Sequence, residues 1–314
     1  MMTMNHKLSF AICVLALSLL TGMRLGAASR VKPVPIVLDT DIGSDIDDAF
    51  ALALVLESPQ LDLRAVTTVS GDTQARARIA AKMLWESGRK EVPVAAGEPG
   101  GKLDISQAHW ADGFTSPSLG SEKAIDLMKQ KIDRSHGKMV IVAIGPLSNV
   151  AALLQSYPQE KKKIRQIVLM GGSLSRGYYP GSGQIAESNI ASDIPAARAV
   201  FSSGIPILMA PLDVTARLQL EAPNLQRLFA HSTPLINALH QLYLEWGEPI
   251  PTLHDPMAVS LLLNPDLCTT KAMSIQIDDH GMTREVSGSP TNAVVAIETN
   301  PVKFIEFYMN RVAR

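Results

Sequence analysis

The sequence predicts an α/β fold: an open, mainly parallel (mixed) sheet with helices on both faces and a Rossmann-like core. Short apolar runs recur along the chain without polar alternation, as strands buried on both faces require. Amphipathic stretches, each with a capping residue and a terminator, separate those runs. Regular strand–helix alternation of this kind argues for a parallel sheet joined by helical crossovers.

The strand candidates are VPIVLDT (34–40), LRAVTTVSG (63–71), VPVAAG (92–97), KMVIVAIG (138–145), RQIVLMGG (165–172) and IPILMAPLD (205–213). Between them, TQARARIAAKMLWESG puts Ile79, Met83 and Leu84 on one helical face and stops at Gly88. SEKAIDLMKQKI, SNVAALLQSYP and SDIPAARAVFSSG follow the same logic. Residues 221–264 read as mostly helical, KAMSIQI and NAVVAIET as late strands, and PVKFIEFYMNRV as a closing helix. No repeat, low-complexity tract or linker interrupts residues 29–314, which read as a single domain. Ligands of such sheets bind beyond the carboxyl ends of the strands. The loops there are DTDIGSDIDD after the first strand, SGDT after the second, IGPLSN after the fourth and MGGS after the fifth.

The 314 residues are 46% hydrophobic, ample for a large core. Lys and Arg number 29 against 30 Asp and Glu, with no basic stripe, so nucleic acid is not an expected partner. Residues 1–28 read as a signal peptide: Lys7, the apolar run LSFAICVLALSLL, then small residues at Gly26 and Ala28. That run is too short for a membrane span, which needs about 20 residues. The expected product is an exported protein, periplasmic or secreted, with no stable membrane span after cleavage. Cys13 falls in the leader, so the mature chain keeps only Cys268 and no internal disulfide. A thiolate nucleophile or a cysteine-built zinc site is not expected on the same ground.

The stretch DTDIGSDIDD (39–48) gathers five aspartates in ten positions. Asp47 or Asp48 can be explained as caps where AFALALVL begins a helix. That accounts for one or two carboxylates and not for five, whereas a bound divalent cation accounts for the group. Hard oxygen ligands suit Ca²⁺, which accepts mixed carboxylate, carbonyl and water ligands. An EF-hand reading fails on spacing, because Gly43, Ser44 and Phe50 stand where a ligand, a glycine and a glutamate are needed. An Asp-x-Asp after a first strand is also the arrangement of haloacid-dehalogenase-type phosphatases, with Asp39 as nucleophile and Mg²⁺. The rest of the chain points elsewhere.

VLDTDIGSDIDDAFAL resembles the N-terminal signature of the inosine-uridine-preferring nucleoside hydrolases, Asp-x-Asp-Pro-Gly-x-Asp-Asp-Ala. Three further segments match that family in order: VAIGPLSNVA (142–151), IVLMGGS with AESNIASD (167–193), and TLHDPMAV (252–259). PLDVT (211–215) is a weaker match. The resemblance implies a nucleoside-hydrolase-like catalytic domain over 29–314. The implied reaction is Ca²⁺-dependent hydrolysis of the N-glycosidic bond of ribonucleosides, with a small-molecule nucleoside as partner and a homodimer or homotetramer as assembly. It implies Asp41 as Ca²⁺ ligand and general base, Asp48, Asp255 and the Ile144 carbonyl as further ligands, and Asp39 as support behind them. Glu187, Asn189 and Asp47 are implied as holders of ribose hydroxyls, and Met170 as a contact against the sugar. His254 is the implied acid for the leaving base, and His109 resembles another histidine near the family's site.

The match has gaps. The acidic loop carries two extra residues, so Asp45 either takes the ribose role given to Asp47 or shares it, and Ile42 stands for proline. Asp72 replaces an asparagine expected on the ribose, Gly181 replaces another asparagine, and Ser148 replaces threonine. Some residues also have a plainer reading: Asp255 as a cap for PMAVSLLL, Met170 as core packing, Tyr243 and Trp246 as an apolar helix face or a stacking surface for a base. Two other functions share the pattern, an exported nucleoside- or sugar-binding protein without turnover and a hydrolase of another ribosyl N-glycoside.

Overall fold

Val34–Thr40 forms the first strand, β1, because its β-branched and apolar residues can be buried on both sides, and from Ile36 onward they are. The structure, a computed structural model, describes residues 32–101 and 105–314. The signal-peptide reading of residues 1–28 lies outside them. After β1 come α1 (Asp47–Leu56), β2 (Leu61–Thr68), α2 (Thr73–Glu86) and β3 (Val94–Ala96). A 3₁₀ turn (Ala108–Ala111) leads to α3 (Ala124–Arg134), β4 (Met139–Ala143), α4 (Ser148–Ser156) and β5 (Ile164–Met170). Then follow α5 (Ser188–Ser192), α6 (Ile194–Phe201), β6 (Ile207–Ala210), α7 (Leu212–Thr215), α8 (Ala222–Phe229), α9 (Pro234–Trp246) and α10 (His254–Leu263). The chain closes with β7 (Cys268–Met273), β8 (Ile275–Ile277), β9 (Thr283–Glu285), β10 (Ala293–Thr299) and α11 (Pro301–Val312).

The main sheet has eight strands in the order β3-β2-β1-β4-β5-β6-β10-β7. All neighbours are parallel except β10 and β7, so the sheet is mixed, as the sequence predicts. The chain runs outward from β1 to β3, then returns to the other side of β1 with β4. The carboxyl ends of β1 and β4 therefore border the crevice at which ligands of such sheets bind. Their register pairs Asp39 with Ala143, and Ile144 N donates to Asp39 O at 2.8 Å. Asp41 and Ile144 are thereby brought to the mouth of the crevice together.

Alternate residues of the central strands feed two cores. Ile36, Leu38, Val140 and Val142 pack on one face with Phe50 of α1, Met83 of α2, Leu239 of α9 and Phe304 of α11. Val37, Ile141, Leu169 and Met209 pack on the other with Leu127 of α3, Val150 of α4 and Val200 of α6. Each large side chain so buried contributes about 1.5–3 kcal/mol relative to exposure. Helix α1 has no polar face. Every residue from Asp47 to Val55 is buried, which makes it a core helix between the sheet and α9, α10 and α11.

Two expectations are refined. The helical stretch 221–264 is three helices, α8 to α10, divided by turns. KAMSIQI is not one strand: β7 joins the main sheet, and β8 pairs with β9 in a separate two-stranded ribbon. The break sits at Ser274, where Ile275 N donates to the Asn292 side chain and Val286 N donates to Ser274 O. No helix among the described residues is long and apolar enough to cross a membrane.

Phe304 is fully buried between α11 and the core, whereas Val302, two residues earlier on the opposite face of the helix, is two-thirds exposed. Phe304→Ala should lower the unfolding free energy by about 3–5 kcal/mol. Val302→Ala should stay within about 0.5 kcal/mol of the parent. Urea unfolding compares the two, and equal effects would refute this placement of the core.

Candidate active site

The site is built where β1 runs out. Asp39, the last aspartate within β1, is fully buried, and its Oδ1 accepts from Thr67 Oγ1 at 2.6 Å and Asn149 Nδ2 at 2.8 Å. Thr40 turns its hydroxyl to Asp48 Oδ1 and accepts Ile42 N at 3.1 Å. Asp47 and Asp48 occupy the first turn of α1, where the positive end of the helix favours a carboxylate. The chain of α10 enters beside them, with Asp255 N donating to Asp47 Oδ2 at 3.2 Å. Carboxylate oxygens of Asp47, Asp48 and Asp255 all lie within 4.8 Å of one another, close enough to share one cation.

Loops from β4, β5 and β6 complete the ring. Gly145 follows Ile144, and a Cβ there would stand 2.7 Å from Asp41 Oδ1 and 3.0 Å from Asp41 N, so only glycine lets the two loops approach. Glu187 caps α5: its Oε1 accepts Asn189 N at 2.8 Å, while Oε2 accepts Gly172 N at 2.8 Å and Ile190 N at 3.1 Å. Asn189 Nδ2 donates to Ile144 O at 2.9 Å and Met170 O at 3.2 Å, tying the ends of β4 and β5 together. His254 is held through Nδ1, 2.8 Å from Thr215 Oγ1 on α7, which leaves Nε2 free for a ligand.

These loops enclose a cavity of about 370 Å³ lined by Asp41, Asp45, Asp47, Asp48, Ile144, Met170, Glu187, Asn189, His254 and Asp255, with Ser44, Tyr178 and Ser188. Asp39 lies beneath it, bonded to the neighbouring strand and helix. Asp45 and Asp47 both reach the lining: Asp47 through its bond to the α10 backbone, Asp45 at the rim with its Oδ1 on its own Ile46 N at 2.6 Å. Met170 is buried and lines the cavity as well, so packing and contact coincide there.

Two expected contacts are not brought together. Asp72 faces solvent and caps α2, accepting Ala75 N at 3.0 Å. His109 stands on the 3₁₀ turn with its side chain 90% exposed, 3.4 Å from Glu245. Conversely, Tyr178 lines the cavity from a loop with no periodic signal. Its hydroxyl donates to Glu187 Oε1 at 3.3 Å and accepts Ser188 N at 3.1 Å, and its ring meets His254 edge-on. Thr215 is a second addition, at the end of the weakly matching PLDVT. Tyr243 and Trp246 pack along α9 against the helical core and are absent from the cavity lining.

Six carboxylates therefore share one cavity, and among the described residues no Lys or Arg lines it. Burial, and then mutual repulsion, pushes Asp47, Asp48 and Asp255 well above the usual carboxylate range. Asp41 is pushed up to about 6 by burial, opposed by the Arg76 guanidinium and reinforced by Glu187 and Asp45. Asp39 is pushed up to about 7 by burial, opposed by its bonds from Asn149 and Thr67. Burial lowers His254 to about 4, so its imidazole is neutral near pH 7. One guanidinium, Arg76, stands behind six carboxylates, and a divalent cation is the group that would supply the remaining positive charge.

Comparison with known proteins agrees with this geometry. The family model described as inosine-uridine preferring nucleoside hydrolase matches residues 36–306. A pyrimidine-specific ribonucleoside hydrolase, RihA, from Citrobacter koseri is 33% identical over 311 residues, covering 89% of this chain and 98% of that protein. Among solved structures, a plant nucleoside hydrolase superposes with a TM-score of 0.76 at 26% identity, covering 90% of this chain and 99% of its own. A purine-preferring ribonucleoside hydrolase from Gardnerella vaginalis gives the same TM-score and identity, covering 89% and 98%. The chain belongs to the inosine-uridine preferring nucleoside hydrolase family. It is an enzyme, an N-glycosidase that hydrolyses ribonucleosides.

The close approach at Gly145 gives a direct test. Gly145→Ala should leave the circular dichroism spectrum unchanged and reduce nucleoside hydrolysis by at least about 100-fold, the scale on which a misplacement of about 1 Å acts. Activity within threefold of the parent would contradict the packing of Gly145 against Asp41.

Proposed function

We propose that the protein hydrolyses pyrimidine ribonucleosides, uridine and cytidine, to free base and ribose, with Ca²⁺ as its resident cofactor. The observation that carries this is the convergence of six carboxylates on one cavity at the crevice between β1 and β4. The donor set fits the ion: carboxylates and a main-chain carbonyl, all hard oxygens, with no thiolate and one neutral imidazole. Asp41, Asp48, Asp255 and the Ile144 carbonyl would hold it. When bound, the ion supplies the charge that keeps these carboxylates ionised and polarises water in the cavity.

The chain's own groups perform the rest. Asp41 takes the proton of the attacking water. Asp47, Glu187 and Asn189 receive the ribose hydroxyls, and Asp45 stands at the rim beside them. Glu187 is already fixed by three main-chain N–H donors, so little ordering is needed when sugar binds. The bond to the base breaks with positive charge building on the sugar, and a wall of carboxylates stabilises that charge. His254, oriented by Thr215 and neutral near pH 7, presents Nε2–H as a hydrogen-bond donor to the departing base, and the proton that Asp41 takes from water balances the one the base gains. Asp39, held by Thr67 and Asn149, supports the cluster from below. The pyrimidine preference rests on the curated relative described above. Residues 1–28 direct export, so the enzyme acts in the periplasm or outside the cell, where Ca²⁺ is plentiful, and it assembles as a homodimer or homotetramer.

Incubation of the purified protein with uridine, cytidine, inosine and adenosine tests the reading. Base should be released from the two pyrimidine nucleosides, stop on addition of chelator and return with Ca²⁺. Asp41→Asn should slow release about 10²–10⁴-fold, the range of a lost general base. If calcium-loaded protein binds a nucleoside yet releases no base, the chain is a binding protein and the proposal fails. Thr215→Val should lower kcat more than it raises KM, because it leaves the cavity lining intact and frees the His254 ring. A change confined to KM would argue against that role. Protein-terminal sequencing of fractionated cells should find a mature chain beginning near Ser29 outside the cytoplasm, and sedimentation should give the assembly.

A further inference from the structure

We propose that Arg76 and Gln107 are positioning residues that clamp the acidic loop from two sides and set where its carboxylates stand. The consequence for the cation rests on the reading above; the clamp itself does not.

Five successive carbonyls, from residue 41 to residue 45, receive donors from these two residues. Arg76 Nη1 donates to Asp41 O and, at 2.9 Å, to Ile42 O. Gln107 N donates to Gly43 O at 3.1 Å, and its Nε2 donates to Ser44 O at 3.2 Å and Asp45 O at 2.9 Å. Arg76 adds a bond from Nη2 to Ser44 Oγ at 2.9 Å, and anchors itself through Nε to Ser70 O at 2.8 Å. Both residues are fully buried. A buried guanidinium is costly unless its donors and its charge are matched. Here carbonyls and a hydroxyl take the donors, and among the described residues no carboxylate is ion-paired with Arg76. Its charge is matched by the cluster as a whole, which is why it pulls Asp41 and Asp48 down against their burial.

The loop needs such a device. It belongs to neither helix nor sheet, so its carbonyls have no regular partners. Ile42 stands where the family signature has proline, so the chain does not fix that φ itself. Gly43 sits at φ +116°, and a Cβ on it would meet Ile79 and Ile105 at 2.7 and 2.8 Å. The loop thus lies flat on α2 and on the segment that carries Gln107. Without outside donors, repulsion between its carboxylates would open it.

Hydrogen exchange of the metal-free protein and calcium titration by calorimetry test this with Arg76→Lys and Gln107→Leu. Lysine keeps the charge but has one nitrogen for four acceptors, and leucine removes the side-chain donor. Each should accelerate amide exchange across residues 41–48 by at least about tenfold while strands β4 and β5 exchange as in the parent, and weaken calcium about tenfold or more. The double variant should lose less than the sum, because both residues hold one loop. Parent-like loop exchange in both variants, or acceleration equal to that of the strands, overturns the clamp. If the parent itself binds no calcium, the cation reading falls, and the exchange pattern still decides the clamp. Should Arg76→Lys not fold, Gln107→Leu decides alone.

Discussion

Repulsion between carboxylates is the constraint around which the rest of the structure is arranged. Two unit charges 4–5 Å apart at an effective dielectric of about 20 repel by about 3–4 kcal/mol. Asp47, Asp48 and Asp255 are that close, and Asp41 stands beside them. A few such pairs equal the whole net stability of an ordinary domain, about 5–15 kcal/mol. A chain can hold them only where backbone donors, a helix terminus, a guanidinium and a cation act together. This protein assembles the first three itself: the start of α1, the N–H groups around Glu187 and Asp255, and Arg76. The fourth is what a carboxylate cavity is built to receive.

The sheet determines where this can happen. Strand order reverses at β1, so its neighbours β2 and β4 lead their loops away in opposite directions and leave a gap. Parallel register, continued from Asp39–Ala143, then places Asp41 beside Gly145, whose missing side chain permits the contact. Asn189 ties β4 to β5, and Thr215 links α7 to α10. The lining residues are thus carried by several elements that are bonded to one another, so the cavity inherits the rigidity of the core below it.

The parts legible in the sequence are those where chemistry and chain position coincide. The buried strands, the alternation, the acidic loop and the His254–Asp255 pair could be read because each is contiguous. Asp72 is expected on the ribose and His109 near the reacting site, and neither lines the cavity: Asp72 serves as a cap for α2, and His109 rides on an exposed turn. Tyr178 had no pattern to betray it, because a loop side chain reaches the cavity by the path of the loop alone. Arg76 did leave a trace. It falls three and seven positions before Ile79 and Met83, on the apolar face of α2, and an arginine at a core position needs a buried partner.

The contrast between Ile42 and the proline of the family signature bears on how this loop is held. A proline restrains a turn from within, at the level of one residue. Here the restraint comes from residues 34 and more than 60 positions away, on elements that also belong to the core. A local restraint survives whatever the rest of the protein does, whereas a distant one exists only once α2 and the 105–111 segment have docked. The geometry of the carboxylates is then a product of tertiary folding. That also explains how the loop accommodates two extra residues without losing its charge cluster: its shape is set by the donors it lies on, and not by its length.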